Sequence, residues 1–398
     1  MERAFLPYGR QQIDQADIDA VVGVLTSPYL TTGPNVASFE AALAKAVGAD
    51  HAIACANGTA ALHMAYHAFG VGPETSVIVP TTTFAATAST ADLLGAEVVF
   101  ADVDPDTGLM TPETAQEAIS RASFPVRCIT PVHLAGQMED MAAMRALADS
   151  VGAYLLADAC HALGTVSDEG WRVGACPHTH VETFSFHPVK TIAAGEGGAV
   201  TTSDAKLAQK MRRFGNHGIV RTGDEFTYKD LALDAETGAV NPWYYELAEP
   251  ALNYRLSDIQ CALAESQLAK LPQFVERRRA LADLYDRAFS TSPAPVKPFG
   301  RTAANQPAWH LYVTLIDFDA IGKSRAAVMN ALRERGVGTQ VHYIPLILQP
   351  HFRCDAASNQ YPGSLAYYRR ALSIPLFPSM TDDDAEYVVR SIESVLEP

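Results

Sequence analysis

Through the first half of the chain, short apolar runs alternate with longer segments of helical period, and that rhythm admits few folds. The spacing predicts helices over 13–25 and 36–47, a strand over 51–55, and a helix opening near Asn57-Gly58-Thr59. Strands follow over 76–79, 97–101, 126–132, 154–157, 181–186 and 199–202, with helices over 87–94, 112–120 and 141–151 between the earlier ones. Alternation of this kind implies an α/β layer around a mostly parallel sheet. Ligands in such sheets gather at the carboxyl ends of strands. Asn57, Asp158 and Lys190 each closely follow an apolar run, so one pocket can hold all three.

Beyond this layer the pattern changes. It weakens over 223–249, which reads as a long loop able to cover a substrate. Helical spacing returns over 257–271 and 273–289, and 293–307 is rich in proline and polar residues. A strand over 309–316, a helix over 325–336 and a strand over 339–343 come next. Thr381 and Asp384 can form a capping box for a last helix. The expected organisation is a large α/β domain over 1–250 and a smaller α+β domain over 251–398, with the N-terminal residues able to pack on the smaller one.

The 398 residues carry a net charge of −15, a balance that argues against a nucleic-acid partner. No stretch resembles a membrane span, and the first ten residues lack the apolar core of a secretion signal. The six cysteines show no paired spacing. A reducing cytoplasm, with no disulfide framework and no bound metal, is the expected setting.

Chemistry concentrates at Ser185-Phe186-His187-Pro188-Val189-Lys190, ahead of Gly195-Glu196-Gly197-Gly198. A lysine after a strand is ordinarily a solvated end. Here an apolar run upstream ends in Asp158, with His161 three residues on. A strand-end carboxylate together with a lysine flanked by serine and glycines is what pyridoxal 5′-phosphate (PLP) requires. The lysine condenses with the aldehyde, and the acid keeps the pyridine nitrogen protonated. His161 can stack on the ring or bond its phenolic oxygen. Asn57-Gly58-Thr59 reads as a phosphate cradle, because amides at a helix start favour an anion and Gly58 permits close approach while Thr59 adds a hydroxyl. Ser185 is a further phosphate donor. Phe84, after Thr82-Thr83, is either core or a face for the ring, and His133 is a weaker candidate for the same wall. Asn253 and Arg255 precede a helix, and Asn253 could reach the phosphate of a neighbouring subunit. Tyr29, Leu30, Thr31, His187, His217, Arg255, His342 and Tyr343 are the residues expected to face substrate.

Ordered motifs along nearly the whole chain carry a resemblance. They are Leu30-Thr31-Thr32-Gly33-Pro34, Asn57-Gly58-Thr59, Thr82-Thr83-Phe84, Asp158-Ala159-Cys160-His161-Ala162-Leu163-Gly164, and the segment from Ser185 to Gly198. Asn216-His217-Gly218, Asn253-Tyr254-Arg255-Leu256, Val341-His342-Tyr343-Ile344-Pro345 and Ile374-Pro375-Leu376-Phe377-Pro378-Ser379-Met380-Thr381 continue it. The chain resembles the DegT-type nucleotide-sugar aminotransferases, of the PLP-dependent transferase fold type I (aspartate aminotransferase-like). The resemblance implies that Lys190 carries PLP, that Asp158 pairs with the pyridine nitrogen, and that an amino acid donor, glutamate, aminates a 4-keto-6-deoxy nucleotide sugar. His161, where the family often has glutamine, and the Gly-Glu-Gly-Gly run are most similar to the UDP-4-amino-4,6-dideoxy-N-acetyl-β-L-altrosamine transaminases of the pseudaminic acid pathway. Amination of a 3-keto sugar, perosamine-type 4-amination and a PLP-binding regulator without turnover remain alternatives. A cysteine desulfurase is disfavoured, since no cysteine sits in a Gly/Ser-rich loop. A homodimer with shared sites is expected.

Overall fold

A computed structural model of the chain describes residues 4–222, 225–303, 305–354 and 357–397. Seven strands build its main sheet: β1 (His51–Cys55), β2 (Ser76–Pro80), β3 (Glu97–Ala101), β4 (Val126–Ile129), β5 (Tyr154–Asp158), β6 (Val181–Ser185) and β7 (Gly198–Thr202). Their spatial order is β1-β7-β6-β5-β4-β2-β3. Only β7 runs against the others, pairing antiparallel with both β1 and β6. The carboxyl ends of β1, β2, β5 and β6 therefore share one edge, and the loop from β6 to β7 turns there.

Helices cover both faces, as strands apolar on both sides demand. Helix α1 (Gln15–Leu25) and α2 (Pro34–Val47) precede the sheet, and α3 (Gly58–Phe69), α4 (Ala85–Leu93), α5 (Pro112–Ile119), α6 (Met141–Ser150) and α7 (Ala205–Phe214) are interleaved with its strands. Phe39 and Leu43 of α2 join Met144 of α6 under one face. Leu62 and Tyr66 of α3 join Met211 and Phe214 of α7 under the other. Local chemistry sets the ends. Pro34 occupies the first turn of α2, where its missing N–H costs nothing, and Gly48 ends it at φ 85°. Asn57 caps α3 by accepting from Ala60 N, and Gly70 closes it at φ 72°.

The C-terminal half adds α8 (Asp258–Ala269) and α9 (Leu271–Thr291). A three-stranded antiparallel sheet follows, of β8 (Val296–Pro298), β9 (Tyr312–Ile316) and β10 (Ala371–Ile374) in the order β8-β9-β10, with α10 (Arg325–Glu334), α11 (Pro362–Arg370) and α12 (Asp382–Leu396). Apolar residues of α8, such as Cys261 and Leu268, belong to the core of the main sheet. A separate core runs from Leu281 and Tyr285 of α9 through Val313, Leu372 and Val388, and it includes Leu6 from the N-terminus. The Thr381–Asp384 capping box forms as expected.

Some elements differ from the sequence reading. Residues 339–343 are not a strand: Gln340 makes one isolated bridge to Ser373, and His342 then bonds the Ser373 hydroxyl at 2.8 Å. The His342–Tyr343 peptide is cis. The strand expected over 126–132 stops at Ile129, since Pro131 has no amide for the ladder. The strand expected from 309 begins at Tyr312, because Ala308 N and His310 N bond Thr165 Oγ1 and Ala135 O instead. In the segment read as a loop over 223–249, the first two residues lie outside the described ones. The rest holds a helical turn at Lys229–Ala232 and a short strand Glu246–Leu247 paired with Ile219–Val220.

One glycine fixes how close β7 comes to α3. A Cβ on Gly198 would lie 2.4 Å from the carbonyl carbon and oxygen of Asn57 and 2.8 Å from Gly58 N. Gly198→Ala should therefore destabilise the chain by about 1–3 kcal/mol in urea unfolding. Gly23→Ala, in α1 with nothing within 4 Å of the added carbon, should instead stabilise it by up to about 1 kcal/mol.

Candidate active site

At the shared strand edge lies a cleft of about 1090 Å³. Its walls include Gly58 and Thr59 from the start of α3, Asp158 and His161 after β5, Ser185, His187 and Lys190 after β6, and His342 and Tyr343 from the segment after α10. Phe84, at the start of α4, also lines it, 60% exposed, with its ring 6.1 Å from that of Tyr343.

The carboxylate is held by two donors. Asp158 Oδ2 accepts from the Thr87 hydroxyl at 2.7 Å, and Oδ1 accepts from Cys160 N at 3.2 Å. Because Thr87 spends its hydrogen on Asp158, its 2.8 Å bond with Thr83 must be received from the Thr83 hydroxyl. This chain orients Asp158 at the cleft wall while one lone pair on each oxygen remains for a ligand. Lys190 sits in a turn closed by its own N–H on His187 O at 2.8 Å. Burial lowers its proton affinity below the ordinary 10.5, opposed by the nearby Cys160 and Asp158 groups.

Burial disfavours the charged form of two of the cleft histidines, His161 and His342. Burial, with Lys190 next, holds His161 well below its ordinary 6.5. Burial pulls His342 down to about 3, with Lys190 adding to it. His161 receives Ala135 N at Nδ1 (3.3 Å), and its Nε2 lies 3.1 Å from the Tyr343 hydroxyl. His133 is a correction to the expected wall: it is 1% exposed, does not line the cleft, and burial takes its pKa down to about 4.

The first turn of α3 has the free amides that could hold an anion. Helix geometry leaves the Gly58 and Thr59 amides without intrahelical partners. A Cβ on Gly58 would come within 3.0 Å of Ser185 Cβ and 3.1 Å of Cys160 Sγ, so only glycine leaves this approach open. With Asp158 and a lysine of lowered proton affinity on the same wall, the residues fit PLP: amides for phosphate, an acid for the pyridine nitrogen and an amine for the aldehyde.

A second set of expected residues lies elsewhere. Tyr29, Leu30, Thr31, His217 and Asn253 are exposed, Arg255 is half-buried, and none of the six lines this cleft. They are tied together. Asp258 accepts from Gly33 N and Asn35 N, and its own N–H bonds Leu30 O. Asn216 bridges Asn253 and accepts from Arg255 Nη1. Sequence reasoning did not single out Thr87, Tyr8, Cys160 or His310. Thr83 and Thr87, four apart at the start of a helix, were a usable signal, whereas Tyr8 is brought to the cleft from the N-terminus and had none.

Known proteins resemble this chain over nearly its whole length. The model of the DegT/DnrJ/EryC1/StrS aminotransferase family matches residues 11–393. The chain is similar to the spore coat polysaccharide biosynthesis protein SpsC of Bacillus subtilis (strain 168), 35% identical over 395 residues that cover 98% of this chain and 97% of that one. Among solved structures it is similar to PseC of Helicobacter pylori, an aminotransferase involved in the biosynthesis of pseudoaminic acid. There the TM-score is 0.87 and the identity 26%, over 98% of this chain and 99% of that one. It is also similar to Spr1654 of Streptococcus pneumoniae in its PLP form, with TM-score 0.85 and 25% identity over 98% of each chain.

Two tests follow from the site. Thr87→Val keeps the shape but removes one donor from Asp158, and it should weaken PLP retention about tenfold, read by equilibrium dialysis. Neutral buried histidines also make stability fall with acid. His133 has a folded pKa of about 4 against an ordinary 6.5, so as pH drops through that window the unfolded chain takes up protons that the folded one refuses. His133→Asn should flatten the loss of stability between those pH values, by an amount on the order of 3 kcal/mol.

Proposed function

We propose that this member of the DegT/DnrJ/EryC1/StrS aminotransferase family, a PLP-dependent sugar aminotransferase, aminates a 4-keto-6-deoxy nucleotide sugar with glutamate as donor, in the cytoplasm. The product is a 4-amino sugar for a surface glycan or a pseudaminic-acid-type sugar. One observation carries this reading: Asp158, Lys190 and the open amides of α3 meet on one wall of a cleft large enough for a cofactor and a sugar. The likeness to PseC and SpsC supports a sugar as the amine acceptor.

When bound, PLP supplies an aldehyde that condenses with amines and a ring that stores the electron pair left when a C–H bond ionises. The α3 amides, Thr59 and Ser185 hold its phosphate. Asp158, kept in place by Thr87 and Cys160 N, holds the proton on the pyridine nitrogen. His161 and Phe84 provide ring faces. Lys190 Nζ would be the amine that the aldehyde meets and, when free, the base that holds and moves a proton in the cleft. Its lowered proton affinity suits that task, since a base near the working pH contributes roughly 10²–10⁴-fold. His187, His342 and Tyr343 face the substrate.

The working form is a homodimer. Asn253 and Arg255 lie outside the cleft of their own chain, so they serve a site only if a second copy brings them to it. Exposed Leu93, Trp243 and Leu247 lend apolar area to such a contact.

Lys190→Ala should lose the visible absorbance of lysine-linked PLP and all turnover of glutamate with a panel of 4-keto and 3-keto nucleotide sugars, followed by mass spectrometry. Undiminished turnover in that variant ends the proposal, and the panel shows which sugar is used. Sedimentation at micromolar concentration should give a dimer, and an active monomer would contradict the shared site.

A further inference from the structure

The hydrogen bonds around His161 have a direction that distance alone does not reveal. A backbone amide can only donate, so Ala135 N–H on His161 Nδ1 (3.3 Å) requires that nitrogen to be bare. A neutral ring then carries its proton on Nε2, which donates to the Tyr343 oxygen at 3.1 Å. Both ring nitrogens are then used, and only the faces of His161 remain for a ligand. The Tyr343 oxygen, having accepted that hydrogen bond, must point its own hydrogen elsewhere, and Tyr343 lines the cleft.

Three further features hold this direction in place. Ala135 adopts φ 60°, a left-handed conformation costly for a residue with a Cβ, and such strain persists only where surroundings enforce it. Its amide serves His161 while its carbonyl accepts His310 N at 2.9 Å. The His310 ring lies 4.4 Å from that of His161, 3% exposed, with Nδ1 lacking a partner among the described residues. A second proton on His161 would meet the Ala135 N–H head-on and face Lys190 nearby. Burial, reinforced by that lysine, keeps His161 far below its ordinary 6.5, and His310 is lowered likewise, chiefly by burial.

We propose that Ala135 N–H, His161 and Tyr343 form a one-way hydrogen-bond chain whose end, the Tyr343 hydroxyl, is a fixed donor to an oxygen acceptor bound in the cleft. His161 is thereby a positioning residue and a stacking face rather than itself a donor to ligand. Only the identity of the acceptor rests on the reading of the cleft as a sugar aminotransferase site. The acceptor is an oxyanion or carbonyl oxygen with two possible sources, the phenolic oxygen of PLP and an oxygen of the bound donor or sugar.

The direction is tested on the full chain labelled with ¹⁵N-histidine, with and without PLP, using His161→Gln to assign the signal. The expected spectrum shows Nε2 protonated and Nδ1 bare, unchanged over the pH range in which the protein stays folded. A protonated Nδ1, or titration near the ordinary 6.5, overturns the chain whatever the enzyme's substrate. The donor is tested with Tyr343→Phe, checked for a native circular dichroism spectrum, beside Tyr343→His, which can restore a donor. If the cofactor oxygen is the acceptor, the pH midpoint of the visible PLP band moves by about one unit in Tyr343→Phe. If substrate supplies it, that midpoint stays and KM for glutamate or the sugar rises about 10-fold or more. A folded Tyr343→Phe protein with neither change refutes the donor role, even where Lys190→Ala has already established the aminotransferase reading.

Discussion

The contact on which the site depends is the backbone approach of Gly198 to the Asn57–Gly58 peptide. β7 runs against its neighbours and so begins at the edge where β1 and β6 end. That reversal places the first peptide of β7 against the cap of α3, at a distance no side chain would permit. The close packing aims the open amides of α3 at the turn that carries Lys190. A fully parallel sheet would put the end of β7 here instead, and the loop from β6 would have to cross the molecule before returning. Strand direction thus brings the first turn of α3 and Lys190 to one cleft.

Charge in the cleft is distributed with equal economy. Three buried histidines, His161, His310 and His342, surround the region of Lys190, and burial keeps all three uncharged. Had any of them been cationic, repulsion would have lowered the lysine further, and the Asp158 carboxylate would have been drawn to that charge instead of to a protonated ligand nitrogen. Asp158 is the counterweight: with Cys160 it raises the proton affinity that burial takes from Lys190.

The layer carrying this arrangement was legible in the residues because strand and helix periods differ and because the capping chemistry is local. The strand 51–55, the helix start at Asn57-Gly58-Thr59 and the Thr381–Asp384 box all appear where their residues point. The segment 339–343 looked like a strand because its pattern is short and apolar residues alternate in it. Its conformation is decided by partners distant in sequence, Ser373 above all. Lys190 and Asp158 announced themselves through their flanks. His310 and Tyr8 did not, because each reaches the cleft through tertiary bonds: His310 N on Ala135 O, and Tyr8 O receiving Leu376 N.

The same distinction explains why the cofactor is easier to read from this chain than the sugar. Groups suited to PLP stand at the ends of strands and at a helix start, and their positions follow from the sheet. Groups suited to the sugar stand on connections. Residues 29–33 are held by Asp258, 216–218 by the bridge to Asn253, and 344–352 by Leu346 N on Thr81 O. Residues 29–32 are exposed, as are His217, Ile344, Leu348, Pro350 and His351, so substitutions at those positions leave the core undisturbed. The likeness to SpsC and PseC, at 35% and 26% identity, shows the family and its chemistry, and a fold does not by itself choose a substrate.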